Sequence, residues 1–214
     1  MNWRRVLHGE TSITIHAPLP VEGELIGRTT IGPIFDKGTE KGAIAYQTRE
    51  IHLREGPHIA TVRNATMLRN EGGFGGSGEG QPQPHPIPDR APDIVHKLST
   101  AANQAMIYRL SGDLNPLHID PAVAEAAGFP RPILHGLATY GFAGRAVLAT
   151  LCDNQPQRLR RLDVRFSSPM FPGETIKVEI WREGDAGNGH RAAFRATAQE
   201  REQLVLNNGY AEFA

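Results

Sequence analysis

The sequence has little cysteine, no excess of either charge and no long apolar run. Its one cysteine, Cys152, cannot form an internal disulfide, which excludes a disulfide-stabilised secreted scaffold and favours a reducing compartment. Lysine plus arginine number 23, as do aspartate plus glutamate, so the basic surface of a duplex-binding or membrane-anchored protein is missing. No apolar stretch approaches the roughly 20 residues that cross a bilayer, and the opening MNWRR lacks the apolar core of a signal peptide. We therefore expect a cytoplasmic protein with neither nucleic acid nor membrane as a partner.

Glycine and proline, by contrast, are concentrated in one segment, residues 71–92, which reads EGGFGGSGEGQPQPHPIPDRAP. Six glycines and five prolines in 22 residues cannot continue a helix or a central strand. We interpret the segment as a linker between an N-terminal part, residues 1–70, and a C-terminal part, residues 93–214.

The N-terminal part has the pattern of an antiparallel sheet. Alternating apolar residues and turn residues predict four strands, at 11–16, 24–35, 43–53 and 58–69. Such a sheet needs apolar material packed on one of its faces.

The C-terminal part has helical patterns first and strands afterwards. We expect Thr100 to cap a helix that runs through Tyr108, and a short helix at 122–127 to end at Gly128. Residues 136–151 predict a longer helix whose small residues allow close approach of a neighbouring backbone. Strands are predicted at 160–166, 175–182, 191–200 and 205–213. A sheet curled around one small-residue helix is the layout of a hotdog domain, so the predicted fold class is α+β.

The densest group of polar residues lies in the segment YRLSGDLNPLHID, residues 108–120. Gly112 and Pro116 prevent a regular helix, so the chain must turn and can aim Asp113 and His118 into one cavity. A carboxylate and an imidazole on one turn can hold a water between them and transfer protons near neutral pH. The alternative from spacing alone is structural: Asp113 caps a turn and His118 is a hydrogen-bonded core histidine.

Two blocks, YRLSGDLNPLH at 108–118 and AGFPRPILHGLATYG at 127–141, closely resemble the (R)-specific 2-enoyl-CoA hydratases, or MaoC-like dehydratases. Shorter segments resemble the double-hotdog members of that family: VLHGE at 6–10, PLP at 18–20, DKG at 36–38, GGFGG at 72–76 and PDRAPD at 88–93. The resemblance runs over nearly the whole chain and implies a double hotdog, an antiparallel sheet wrapped around a central helix.

The resemblance also implies the roles of particular residues. Asp113 and His118 would be the catalytic pair, and Asn115 would help to orient water and substrate. The thioester carbonyl oxygen would lie near the backbone N–H of Gly136, although that glycine can also be explained by packing alone. Glu10 matches a carboxylate near the active site, or else is a solvated acid at the start of a strand. Separately, Tyr108 and Phe129 are expected to line the acyl pocket or the core.

The implied substrate is an acyl-CoA thioester, hydrated reversibly to the (3R)-hydroxyacyl-CoA, with no cofactor and no metal. Two alternatives are a catalytically inactive acyl-CoA-binding or scaffold protein and an acyl-CoA thioesterase. Open sheet edges also allow a homodimer.

The family's members carry a longer segment before the VLHGE stretch, so we expect the first hotdog to be incomplete. Its apolar strand residues would then be poorly covered, and we name four of them as examples: Ile13, Ile15, Ile44 and Ile51.

Overall fold

A computed structural model of the chain describes residues 6–187 and 189–214. Its strands are β1 (Val6–Ile15), β2 (Leu25–Asp36), β3 (Ala43–Leu53), β4 (His58–Leu68), β5 (Ile94–Ser99), β6 (Leu159–Phe166), β7 (Thr175–Ala186), β8 (Gly189–Ala198) and β9 (Gln203–Phe213). Its α-helices are α1 (Gly38–Lys41), α2 (Gln104–Arg109), α3 (Pro121–Ala126) and α4 (Gly136–Leu151). No helix in these two ranges is both long and apolar enough to span a bilayer.

The described strands form one antiparallel sheet in the order β2-β3-β4-β1-β6-β9-β8-β7-β5. The two parts of the chain meet where β1 pairs with β6, with Glu10 opposite Arg165 and Ile13 opposite Leu162. The sheet is therefore continuous across both parts of the chain, and β1 is a central strand.

Helix α4 lies against the C-terminal half of this sheet and contacts β5, β6, β7 and β9. The alanine and glycine content of its sequence makes this close packing possible: Ala143 and Ala146 are fully buried, and a Cβ on Gly144 would lie 3.1 Å from the Leu162 side chain. The helix has the predicted bounds, and the α+β hotdog arrangement predicted for this part is confirmed.

The first four strands lack a comparable covering helix, since the described helix among them, α1, has only four residues. The prediction of poor covering is wrong for Ile44, which is buried, and Ile13 packs against the main core. The most exposed apolar strand is instead β2, at the edge of the sheet, where four large side chains are exposed: Leu25, Ile26, Ile31 and Ile34.

Two other local features differ from the sequence predictions, one of which is wrong. Thr100 does not cap a helix, because α2 begins at Gln104 and the Thr100 hydroxyl donates to the backbone oxygen of Glu174 at 2.8 Å. Strand β5 was not predicted, because its alternating pattern covers only six residues and its partner strand, β7, lies far along the chain.

An ion pair with a buried carboxylate holds the segment that precedes β7. Glu174 is 6% exposed, and its carboxylate accepts from Arg201 Nε at 2.5 Å and from the backbone N–H of Phe171 at 2.8 Å. In the same segment, the backbone oxygen of Met170 accepts from Leu134 N–H at 2.7 Å. The ion pair therefore supports the segment whose Met170 carbonyl is bonded to Leu134, two residues before α4.

Replacing this carboxylate is expected to destabilise the fold. Glu174→Gln leaves the Arg201 guanidinium without its charged partner, so we expect a loss of about 1–3 kcal/mol in the free energy of unfolding. Urea denaturation of this variant beside Glu125→Gln, which changes an exposed glutamate on α3, measures the difference. Equal midpoints for the two variants would show that the pair does not stabilise the fold.

Candidate active site

The segment between α2 and α3 forms the turn that the sequence predicted. Asn115 begins a 3-10 helix, Pro116–His118, and its side-chain oxygen accepts from Leu117 N–H at 3.1 Å. Asp113 Oδ1 accepts from the backbone N–H of Asn115 at 3.2 Å, so this carboxylate does cap a turn. Because Asp113 is exposed, the cap leaves the carboxylate open to solvent and to a ligand.

His118 is buried, and one of its ring nitrogens is occupied. Nδ1 lies 2.8 Å from the backbone oxygen of Ile133. A carbonyl only accepts, so we assign the proton of the neutral ring to Nδ1 and the free lone pair to Nε2. Burial lowers the pKa of His118 below its ordinary value, although the bond to Ile133 and the charge of Asp113 both oppose that effect. The ring is thus held as a neutral proton acceptor.

His135 completes a cluster that the sequence reasoning did not single out. Potential ligand atoms of Asp113, His118 and His135 all lie within 4.8 Å of one another. The His118 and His135 rings are stacked, with centroids 3.7 Å apart and planes 27° apart. The signal available in the sequence was a histidine directly before the glycine that starts the predicted helix.

Gly136 opens α4 immediately after His135, which is the N-cap residue. The first N–H groups of a helix have no acceptor within the helix and carry partial positive charge. The position is exposed, and a Cβ there would lie 3.2 Å from Cε1 of Phe166. The Gly136 N–H is therefore available beside the Phe166 ring. It directly follows His135, the residue that stacks on His118.

The remaining candidates of the second part lie at different distances from this cluster. The Tyr108 ring is 4.7 Å from the His135 ring, which places it beside the cluster. The Asn115 side chain is engaged in capping its own turn. Phe129 follows α3, half-buried, and is held by its N–H bond to the Ala124 oxygen at 2.9 Å. Their assignment to orientation and acyl binding stays a prediction.

Glu10 has charged and polar partners and does not belong to the Asp113 cluster. It forms an ion pair with the Arg165 guanidinium and accepts from the Tyr46 hydroxyl at 3.4 Å. It lines a separate cavity of about 190 Å³ together with residues of the 71–92 segment such as Pro84. The structure therefore does not show it as a simple solvated acid. From the same LHGE stretch, His8 comes nearer to the site, since its ring lies 4.8 Å from that of Phe166.

A metal ion would have to use Asp113, His118 and His135, the single group of three potential ligands found within the described ranges. Imidazole binds a metal through a lone pair in the plane of its ring. Because the two rings are stacked nearly parallel, those lone pairs run side by side and do not converge on one point. The arrangement is better suited to proton transfer than to closed metal coordination.

The lowered pKa of His118 predicts the pH dependence of any reaction in which this ring accepts a proton. The neutral form, which is the form able to accept a proton, persists to lower pH than for an ordinary histidine of pKa 6.5. We therefore expect kcat/KM to be constant at neutral pH and to fall only when the pH drops below that ordinary value. An acid limb centred above 6.5 would contradict the burial argument.

Fold and site together define a class of protein. A hotdog sheet around one helix carries a carboxylate, a neutral imidazole and a free helix-start N–H on adjoining segments. That combination is typical of hydro-lyases acting on thioesters, in which water is activated beside a donor for enolate charge.

Comparisons with known proteins agree with this class. Residues 84–203 match the model of the MaoC-like domain, and residues 1–70 match that of the MFE-2 hydratase 2 N-terminal domain. The chain is 41% identical over 210 residues to 3-hydroxyacyl-thioester dehydratase Y of Mycobacterium tuberculosis, covering 97% of this chain and 72% of that protein. It is 38% identical to the peroxisomal multifunctional enzyme type 2 of mouse, of which it spans 28%.

Solved structures agree as well. A MaoC-like dehydratase from Phytophthora capsici has a TM-score of 0.92 at 38% identity, over 100% of this chain and 73% of that one. A Mycobacterium tuberculosis protein described as a double hotdog has a TM-score of 0.62 at 16% identity, covering 98% of this chain and 75% of that one, which supports the fold alone. The chain belongs to the MaoC-like dehydratase family.

Proposed function

We propose that this chain catalyses the reversible syn addition of water to trans-2-enoyl-CoA, giving the (3R)-hydroxyacyl-CoA, with the water held between Asp113 and His118. The observation that carries the proposal is the meeting of an open carboxylate and a buried neutral imidazole within 4.8 Å on one turn. Relatives at about 40% identity are named as hydratases or as a dehydratase of acyl thioesters, which supports the same chemistry.

The proposed reaction uses both groups and the start of α4. One member of the Asp113–His118 pair accepts a proton from water as the oxygen bonds to C3 of the substrate. The electrons of the C2=C3 bond move toward the thioester carbonyl oxygen, which becomes enolate-like. The backbone N–H of Gly136 would stabilise that negative charge. A proton returned to C2 from the same face restores the carbonyl, so the sum is one added water.

The free lone pair of His118 supports this use of the ring. Nδ1 is bound to Ile133, so Nε2 is the nitrogen left to meet a water. The stacked His135 covers one face of the ring.

The direct test is an assay with crotonyl-CoA. Purified protein should cause loss of absorbance at the enoyl-thioester band, and chiral analysis of the product should give the (3R) isomer. Formation of the (3S) isomer, or no loss of absorbance at any enoyl chain length, would reject the proposal.

A cytoplasmic location and a homodimeric state are further parts of the proposal. The edge strand β2, with its exposed apolar side chains, supports association through that edge. Light scattering of the purified protein and fractionation of the source cells test the two statements separately.

A further inference from the structure

The His135 side chain is buried but makes fewer polar contacts than it could. It is 1% exposed, and Nε2 lies 3.3 Å from the backbone oxygen of Asp113. That contact places the proton of the neutral ring on Nε2. Nδ1 is buried without a hydrogen-bond partner within the described part of the chain. Buried polar atoms normally have partners, so this nitrogen calls for a physical explanation.

The missing partner keeps His135 neutral. A protonated imidazole carries two N–H donors, and a second donor at Nδ1 would be buried without an acceptor. The stacked His118 ring adds to this effect, because two charged rings 3.7 Å apart would repel each other. Burial and His118 accordingly lower the pKa of His135.

The other ionisable groups around the stack do not reverse this preference. Tyr108 packs on His135, and burial together with Asp113 raises the pKa of its phenol, which stays uncharged. Arg109 lowers the pKa of His135, whereas the carboxylate of Asp113 raises that of both rings. Of the two stacked rings, His118 is therefore the one that takes a proton.

We propose that His135 is a positioning residue. Its ring covers one face of His118 and donates to the backbone carbonyl of Asp113, which fixes the Asp113 turn. His135 stays neutral while His118 carries the proton. It also precedes Gly136 directly, so one side chain links the turn, the proton acceptor and the start of α4. The inference rests on the proposed hydratase function for its catalytic consequence, but its structural part does not depend on turnover.

Two variants separate the roles of the ring and of the hydrogen bond. His135→Phe keeps a stacked ring but cannot donate to the Asp113 carbonyl. His135→Asn keeps a polar donor but removes the ring that shields His118 from water. His190→Asn is the matched control, because His190 is exposed and contacts Asp185 and Phe213.

Both variants should lower kcat, by roughly 10- to 100-fold for a displacement of about 1 Å, with a smaller change in KM. In His135→Asn, water reaches His118 and raises its pKa, so the acid limb of kcat/KM moves to higher pH. In His135→Phe the shielding remains, and the acid limb stays at low pH. A residue that mattered only for stability would not separate the two variants in this way.

Nuclear magnetic resonance titration of ring-labelled histidine gives a readout independent of activity. The His118 signal, assigned by its loss in His118→Asn, should titrate at higher pH in His135→Asn than in the wild type or in His190→Asn. An unchanged His118 titration in His135→Asn overturns the inference, as does a kcat within about twofold of wild type in His135→Phe. If the wild type hydrates no enoyl-CoA, the proposed function fails while the titration still decides the role of His135.

Discussion

Asp113→Asn and His118→Asn are each expected to reduce kcat for enoyl-CoA hydration by about 100- to 10,000-fold, the usual contribution of a positioned acid or base. Asn at 113 keeps an oxygen to cap Asn115 but cannot accept a proton. Asn at 118 can still donate to the Ile133 carbonyl but has no ring nitrogen to meet water. Each change therefore removes the proton-transfer group and preserves the local hydrogen bond.

Steady-state kinetics with crotonyl-CoA, beside circular dichroism to confirm folding, measures this effect. Asp89→Asn, which changes an exposed carboxylate in the 71–92 segment, is the matched control. The double variant should lose little more than either single one, since the two groups act on the same water. Single variants with nearly full activity would remove the pair from the mechanism.

Gly136→Pro is expected to reduce kcat/KM by about 100- to 1,000-fold, the cost of losing one oxyanion donor. Proline is tolerated at the first position of a helix, where it removes the N–H without breaking the helix. His135, with φ of −56° and ψ of 135°, already has the extended backbone that a following proline requires. This substitution therefore deletes the proposed donor with little change of backbone.

Gly136→Ala is the control for the added side-chain atom. Its Cβ meets the same Phe166 ring at 3.2 Å, but the N–H remains. The account predicts that alanine retains most of the activity that proline loses. Equal losses in the two variants would mean that crowding against Phe166, and not charge stabilisation, explains the effect.

The turn and the helix were predictable from sequence because both depend on local residues. Gly112 and Pro116 prevent a helix, and Asn115 caps the short turn that presents His118. Gly128 stops α3 with its left-handed backbone, at φ of 85°. Small residues and apolar periodicity likewise fixed the bounds of α4.

What depends on partners distant in the chain was not predictable. Arg165, the partner of Glu10, lies 155 residues away, and the pairing follows from the β1–β6 register. The stack of His135 on His118 joins two segments that lie on either side of Phe129 and the prolines next to it in the sequence. Strand β5 exists because β7 offers it an edge. Each of these three features depends on the assembled fold, so the local sequence does not predict it.

Turnover of crotonyl-CoA in water enriched in heavy oxygen tests the central claim most directly. Mass spectrometry should find an intact thioester with one heavy oxygen in the C3 hydroxyl group, and this product should be lost in Asp113→Asn. Heavy oxygen in a free carboxylate, together with released coenzyme A, would contradict the account in favour of thioester hydrolysis. Recovery of unlabelled substrate after prolonged incubation with the protein would contradict the account in favour of a binding protein without catalysis.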